Sequence, residues 1–356
     1  MTACIAEAGG GLPWNVWQEI LLYAVYQDPC GARRAAIRLA PTCRAWFTLM
    51  YSRIVLPTLY LHTPRHAIQC AQALASNQLG LGAIAQQVTR AIYIRDTEQR
   101  PALYDDAMHT RRLATTLHHP VRLLLCICIH VHTLCLPCEP KMLQAHNGDG
   151  LDMSHTRATL QQITCLQSAW AGDVNDTLWL PCPAPWQALT HVQLHGPRFR
   201  CTPRVARALA HLPTLTHLAL VLPTVLDEQG GRDARPVLQI LCTEAQTLQC
   251  LLVLGHDEPH WMGATRHIRP ALPYLTRPAT LPSLRCGLIT AMRLDDKEWQ
   301  PGTRAHASVF SAWMMQRMRQ GTHWSFLDAR DPGMDDTMAY DVASFVVPPA
   351  IDTPVH

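Results

Sequence analysis

Two short stretches of this chain carry residue types that could bind a metal ion. The first is CICIHVHTLCLPC, residues 126–138. As an extended chain it puts Cys126, Cys128, His130 and His132 on one face, with Leu125, Ile127, Ile129 and Val131 on the other. Cys135 and Cys138 add zinc-like C-x-x-C spacing, and thiolate and imidazole are ligands that zinc takes. Yet four ligands alternating along one strand cannot close a tetrahedron around one ion without a turn. The stretch therefore reads as a buried strand with small thiols and solvent-side histidines, and a zinc-binding protein built on Cys126–Cys138 stays as an alternative. The second stretch is His256-Asp257-Glu258-Pro259-His260. Two histidines at i, i+4 share a helix face in His-Glu-x-x-His zinc sites. Here Pro259 disfavours that helix and Glu258 stands in the wrong place, so a polar loop is expected. Histidine is abundant in general, 19 residues, and His191, His195, His211 and His217 sit next to strand leucines. Imidazoles so placed could face an acidic or pH-dependent partner. No glycine-rich phosphate loop, nucleophile elbow or kinase motif occurs. A non-enzymatic protein without a cofactor or a bound metal is expected.

Those residues need elements to position them. A chain of 356 residues exceeds one ordinary core of about 100–200 residues, so two domains or a repeat array is expected. Hydrophobic residues are 48% and charged ones 16%, which argues against wholesale disorder. A net charge of +3, without basic–aromatic interleaving, points away from nucleic acid. The most apolar stretch, 121–137, is too short and too polar for a membrane span of about 20 residues. No basic n-region or long apolar h-region opens the sequence, so an intracellular protein, cytoplasmic or nuclear, with mostly free thiols is expected.

Residues 11–53 read as three short helices. Pro13 fits a first helical turn, and Trp17, Ile20, Leu21 and Ala24 follow at i, i+3, i+4, i+7. Asp28-Pro29-Cys30-Gly31 breaks the run. Arg33–Leu39 is a second helical run, closed by Pro41, and Cys43–Arg53 a third, with Trp46, Phe47, Leu49 and Met50 inside.

LPWNVWQEIL, followed about twenty residues on by IRLAPTCRAWFTLM, resembles an F-box of the kind common in fungal proteins. The match rests on Leu12, Pro13, Trp17, Ile20, Leu21, Leu39, Cys43, Arg44 and Trp46. It departs from the family pattern at Asn15, usually Glu, and at Pro41, usually aliphatic. The resemblance implies docking on the Skp-type adaptor of a cullin–RING (SCF-type) ubiquitin ligase. Leu12, Pro13, Trp17, Ile20 and Leu21 would be the groove-filling anchors, and Leu39, Cys43 and Trp46 would pack behind or join them.

The remainder repeats. An apolar triplet of the form LxxLxL starts at Leu56, Thr89, Val131, Leu160, Leu189, Leu215, Leu248 and Leu281. The starts are 33, 42, 29, 29, 26, 33 and 33 residues apart, which is the mark of stacked repeats. Each triplet would be a short strand. Helical runs over 65–76, 101–119, 204–212 and 235–243 would lead to the next parallel strand. The array resembles irregular leucine-rich repeats, although the consensus asparagine is absent.

The expected fold is thus an α+β or α/β repeat protein: an N-terminal three-helix F-box, then a curved leucine-rich-repeat-like solenoid with a parallel sheet. The boundaries are 11–53 for the F-box-like unit, 54–302 for the array, 303–330 for a C-terminal cap and 331–356 for a frayed tail. The expected function is substrate recognition in that ligase. A target protein would bind at exposed strand positions such as Thr190, His191, Gln193, Thr216, His217 and Ala219. A repeat scaffold that binds no adaptor is the alternative.

Overall fold

A computed structural model describes residues 13, 15, 16, 18–20, 23, 33, 34, 36–38, 40–42, 44–94, 106–137, 154–165, 186–194, 203–221, 235–256, 275–293 and 338–347. Among the described residues, eight parallel strands and one antiparallel strand form a single sheet in a mixed α/β fold, in which neighbours in space are neighbours in sequence. They are β1 (Thr58–Leu61), β2 (Ala91–Ile94), β3 (Thr133–Leu136), β4 (Gln162–Cys165) and β5 (His191–Leu194). Then come β6 (His217–Val221), β7 (Cys250–His256), β8 (Leu284–Arg293) and β9 (Met338–Val347).

Every apolar triplet delivers one parallel strand. Leu59, Ile92, Leu134, Ile163, Val192, Leu218 and Leu251 lie in register across seven strands and form one continuous buried row. Period-two alternation puts the third triplet residue on the same face, so Leu61, Ile94, Leu136, Cys165, Leu194, Leu220 and Val253 join that core. The eighth triplet departs from this scheme. Leu251 pairs with Cys286, not Leu284, so β8 is shifted by two residues relative to the triplet count. A two-residue offset keeps every side chain on its face, and Leu284 stays fully buried while Leu281 is only half-buried.

Helices fill the crossovers. α1 (Arg44–Met50) precedes the sheet, and α2 (Pro64–Ala75) with α3 (Leu81–Val88) joins β1 to β2. α4 (Asp106–Ile127) leads to β3, α5 (Ser154–Thr159) to β4, α6 (Pro203–Ala210) to β6 and α7 (Arg235–Glu244) to β7. Thr63 caps α2, its hydroxyl accepting from the His66 N–H, with Pro64 in the first turn.

α4 corrects the extended reading of the Cys/His stretch, because the helix runs through Pro120 to Ile127. A helix-interior proline costs about 3 kcal/mol. Leu117, Val121, Leu124 and Leu125 are helically spaced and fully buried, each contributing about 1.5–3 kcal/mol, so packing wins. Cys126 and Cys128 therefore do not share the face of a strand with His130 and His132.

At three of the triplets a threonine stands just before the start and bonds back across the preceding repeat: Thr159 to the Ile129 carbonyl at 3.3 Å as well as to Thr156 in its own helix, Thr214 to Gln187 at 2.9 Å and Leu189 at 3.1 Å, and Thr247 to Leu215 at 2.8 Å. These bonds occupy carbonyls that the crossovers leave outside the strand ladder.

β9 corrects the frayed-tail reading of 331–356 over residues 338–347, the part of that segment the structure describes. Residues 338–347 pair antiparallel with all ten residues of β8, and Val347 is buried. Without β9, that side of β8 would be an open row of N–H and C=O groups. The expected cap over 303–330, including the helix over 303–319 and the strand over 324–327, lies outside the described residues.

Residues 15, 16, 18–20, 23, 33, 34 and 36–38 are helical, in line with the first two N-terminal runs. Pro41 lies within a 3-10 turn, Ala40–Thr42, just ahead of α1. The third run ends early: α1 stops at Met50 and a π-turn, Tyr51–Val55, follows, with the Leu56 N–H bonding the Tyr51 carbonyl at 2.9 Å. Ala36, Ala40, Leu49, Met50 and Val55 form a small core of their own, flanked by Trp46, Phe47, Tyr51 and Ile54. Arg33 ties this unit to the sheet, donating to the Thr58 carbonyl at 3.3 Å with its guanidinium 5.4 Å from the Tyr60 ring centroid.

Candidate functional site

One residue before the core row, the strands present a second row on the opposite face. Thr58, Ala91, Thr133, Gln162, His191, His217, Cys250 and Arg285 follow one another in register. Cys250 is buried, Arg285 is exposed, and the other six are half-buried. The row is polar and joined side to side: Thr133 bonds the Gln162 amide oxygen at 3.3 Å, and the His191 and His217 rings stack with centroids 4.3 Å apart and planes within 10°.

The backbone beneath fixes this geometry. From β1 to β6, each strand is preceded by one carbonyl accepting two N–H groups from the next strand; the Thr190 carbonyl takes those of Thr216 and His217 at 2.9 and 3.0 Å. The same carbonyl also accepts from the Thr216 hydroxyl at 3.1 Å, and Gln161 accepts equivalently from Thr190 at 3.1 Å.

The hydroxyls also touch the rings that follow them: Thr190 Oγ1 lies 2.8 Å from His191 Nδ1 and Thr216 Oγ1 2.9 Å from His217 Nδ1. Burial lowers the pKa of His217, and the charge of Arg285 lowers it further.

None of the six strand positions expected to be exposed is fully so. Thr190, His191, Thr216 and His217 are half-buried at this edge, whereas Gln193 and Ala219 are buried, each 1% exposed. The reason is that the middle row of the same face is closed. Tyr93, Cys135, Thr164, Gln193, Ala219 and Leu252 are in register and all buried, so the parallel sheet is covered on both faces there. Arg285, Gln162 and Thr133 were missed. Gln162 and Thr133 were readable as the residue before the second triplet position; Arg285 was hidden by the two-residue offset of β8.

The N-terminal unit presents a different surface. Pro13 is exposed, and Ile20 and Tyr23 are 44% and 68% exposed at i, i+3, so they share a helix face. Ile37 is 47% exposed. Trp46 is half-buried against the small N-terminal core. Leu12, Trp17, Leu21, Leu39 and Cys43 lie outside the described residues.

Two of the described thiols, Cys70 and Cys128, are packing groups. Burial raises Cys70 to about 11, against a smaller lowering by Arg33. It raises Cys128 to about 12. Among the described residues, no group of three or more His, Cys, Asp or Glu side chains is placed to hold a metal ion, and Cys138 and 257–260 lie outside them. Nor is any described helix long and apolar enough to cross a membrane.

No family model matches the chain, and a search of curated proteins finds none that matches it.

Proposed function

We propose that the chain is the substrate-recognition subunit of a cullin–RING (SCF-type) ubiquitin ligase. In this proposal the N-terminal unit is an F-box that docks on a Skp-type adaptor. The sheet and its crossovers are an irregular leucine-rich-repeat array that holds the target. The chain itself catalyses nothing, and ubiquitin transfer happens on its partners. The observation that carries the proposal is the exposed apolar stripe of Ile20 and Tyr23, with Pro13 and Ile37 also at the surface, on the segment that resembles an F-box. Large apolar side chains grouped at a surface mark contact with another protein.

The test is co-purification of the full chain with a recombinant Skp-type adaptor. Leu12→Ala with Pro13→Ala, and separately Ile20→Asp with Tyr23→Asp, should each weaken the complex by more than about 2 kcal/mol, as loss of interface anchors does. Undiminished adaptor binding by both double variants rejects the proposal.

A second reading has its own support. The cluster around Met50, Leu49 and Val55, flanked by Trp46 and Phe47, sits immediately ahead of β1, and Arg33 is bonded to that strand. Such a unit serves as a helical cap over the first repeat. Absence of any adaptor complex with the wild-type chain would favour this scaffold reading.

A further inference from the structure

We propose that Cys242 and Cys286 are a peroxide-responsive dithiol, oxidised to a disulfide that joins α7 to β8. The inference goes beyond adaptor docking and target binding and depends on neither.

Three observations carry it. First, two thiols from different elements meet. Cys242 lies in α7 and Cys286 in β8; both are fully buried and free, and they are in hydrogen-bond contact. An S–S bond is about 2.05 Å long, so sulfurs already in contact reach it by side-chain rotation. Second, a buried cation stands beside them. The Arg277 guanidinium bonds the carbonyl of Cys242 itself at 3.0 Å, and that of Pro282 shortly before Cys286. Its four carbonyl partners satisfy its donors but supply no countercharge, and a buried charge is costly without one. The ionisable groups that act on it are the Cys242 and Cys286 thiols. Third, the two thiols are unequal. The hydrogen bond from Cys286 lowers the pKa of Cys242, burial opposes this, and the charge of Arg277 adds to the lowering. The same hydrogen bond, together with burial, pushes Cys286 up. A thiolate held against a thiol is what disulfide formation needs, because the thiolate is the nucleophile. In Cys70 and Cys128 burial raises both pKa values instead. The guanidinium also repels a metal cation from the same place.

Burial admits only a small oxidant, so the co-reactant is hydrogen peroxide. The Cys242 thiolate attacks one peroxide oxygen, the O–O bond breaks, and hydroxide leaves and takes up a proton to become water. Sulfur is oxidised to the sulfenic acid and peroxide is reduced. The Cys286 sulfur then attacks the sulfenic sulfur, the S–O bond breaks, and the oxygen leaves with the Cys286 proton as a second water. The disulfide that results ties the helix before β7 to the strand after it.

The test exposes the full, reduced chain to sub-millimolar hydrogen peroxide, with circular dichroism confirming that it stays folded. Remaining thiols are alkylated in denaturant, and tryptic peptides are read by mass spectrometry. Residues 233–266, which contain Cys242 and Cys250, should become linked to residues 286–293, and dithiothreitol should release them. Cys250→Ser should keep the link and Cys242→Ser should lose it. In Cys286→Ser, Cys242 should stop at the sulfenic acid, which dimedone captures. The link should form about tenfold or more faster than Cys70 or Cys128 is oxidised. Absence of the link in the folded wild type, a link through Cys250, a link that forms only in denaturant, or equally fast oxidation of Cys70 and Cys128 overturns the proposal. Fragment spectra of the wild-type linked peptide distinguish Cys242 from Cys250 even where a serine variant fails to fold.

Discussion

Arg277, 1% exposed, donates from Nη2 to the Leu248 carbonyl at 2.8 Å. The same guanidinium reaches the carbonyls of Cys242 at 3.0 Å, Ala245 at 3.3 Å and Pro282. Cys242 and Ala245 lie at the end of α7, where four carbonyls lack helical partners, so one planar fork closes a helix terminus and ties it to the strand that follows. Arg277→Met should destabilise the protein by at least about 3 kcal/mol, because it strands several buried acceptors. Arg277→Lys should recover only a fraction, since an ammonium lacks the planar fork. Urea denaturation of the two variants checks this.

The threonine bonds between repeats should each contribute about 1 kcal/mol. Thr214→Val and Thr247→Val remove the hydroxyls that reach Leu189 and Leu215. Their effects on the denaturation midpoint should add if the repeats behave as separate units. A marked excess in the double variant would show coupling between neighbouring repeats.

Stability should fall on acidification because His217 is harder to protonate in the fold than in the unfolded chain. The unfolded chain then binds more protons as pH drops below the ordinary histidine value of about 6.5, so its population is favoured. The contribution is complete above that value and is lost as pH falls through the lower folded one. His217→Gln should show a smaller drop in Tm between neutral and acidic buffer than the wild type.

Cys70 and Cys128 should resist alkylation in the native state. With their pKa values raised to about 11 and about 12 from 9.0, the thiolate fraction at neutral pH falls about a hundredfold and a thousandfold. Iodoacetamide labelling followed by mass spectrometry should modify both only at the rate of global unfolding.

The turn between α2 and α3 carries removable strain. Leu79 has a φ of 56° and is 80% exposed, beside Asn77 at φ 49° and Gly80 at φ 76°. Left-handed backbone costs a non-glycine residue about 1–2 kcal/mol, more than the entropy a glycine adds, so Leu79→Gly should stabilise by up to about 1 kcal/mol. A lower midpoint in urea would show that Leu79 makes a contact that offsets its conformation.

How much was legible follows from which interactions have a period. The strands were readable because alternate burial repeats every two residues and each triplet needs only itself to signal it. The same period hid the offset of β8, since a shift of two leaves the pattern unchanged. Residues 117–131 satisfy both periods: Leu125, Ile127, Ile129 and Val131 alternate, while Leu117, Val121, Leu124 and Leu125 are helical. Only packing decided between them. Burial of Gln193 and Ala219 was not legible, because alternation names a face and not what lies over it.

The reversed direction of β9 constrains how such an array can lengthen by gene duplication. The side of β8 away from β7 is already bonded along its whole length to a strand running the other way. A duplicated unit could not simply be appended there. It would have to enter between existing parallel strands, leaving both terminal elements in place.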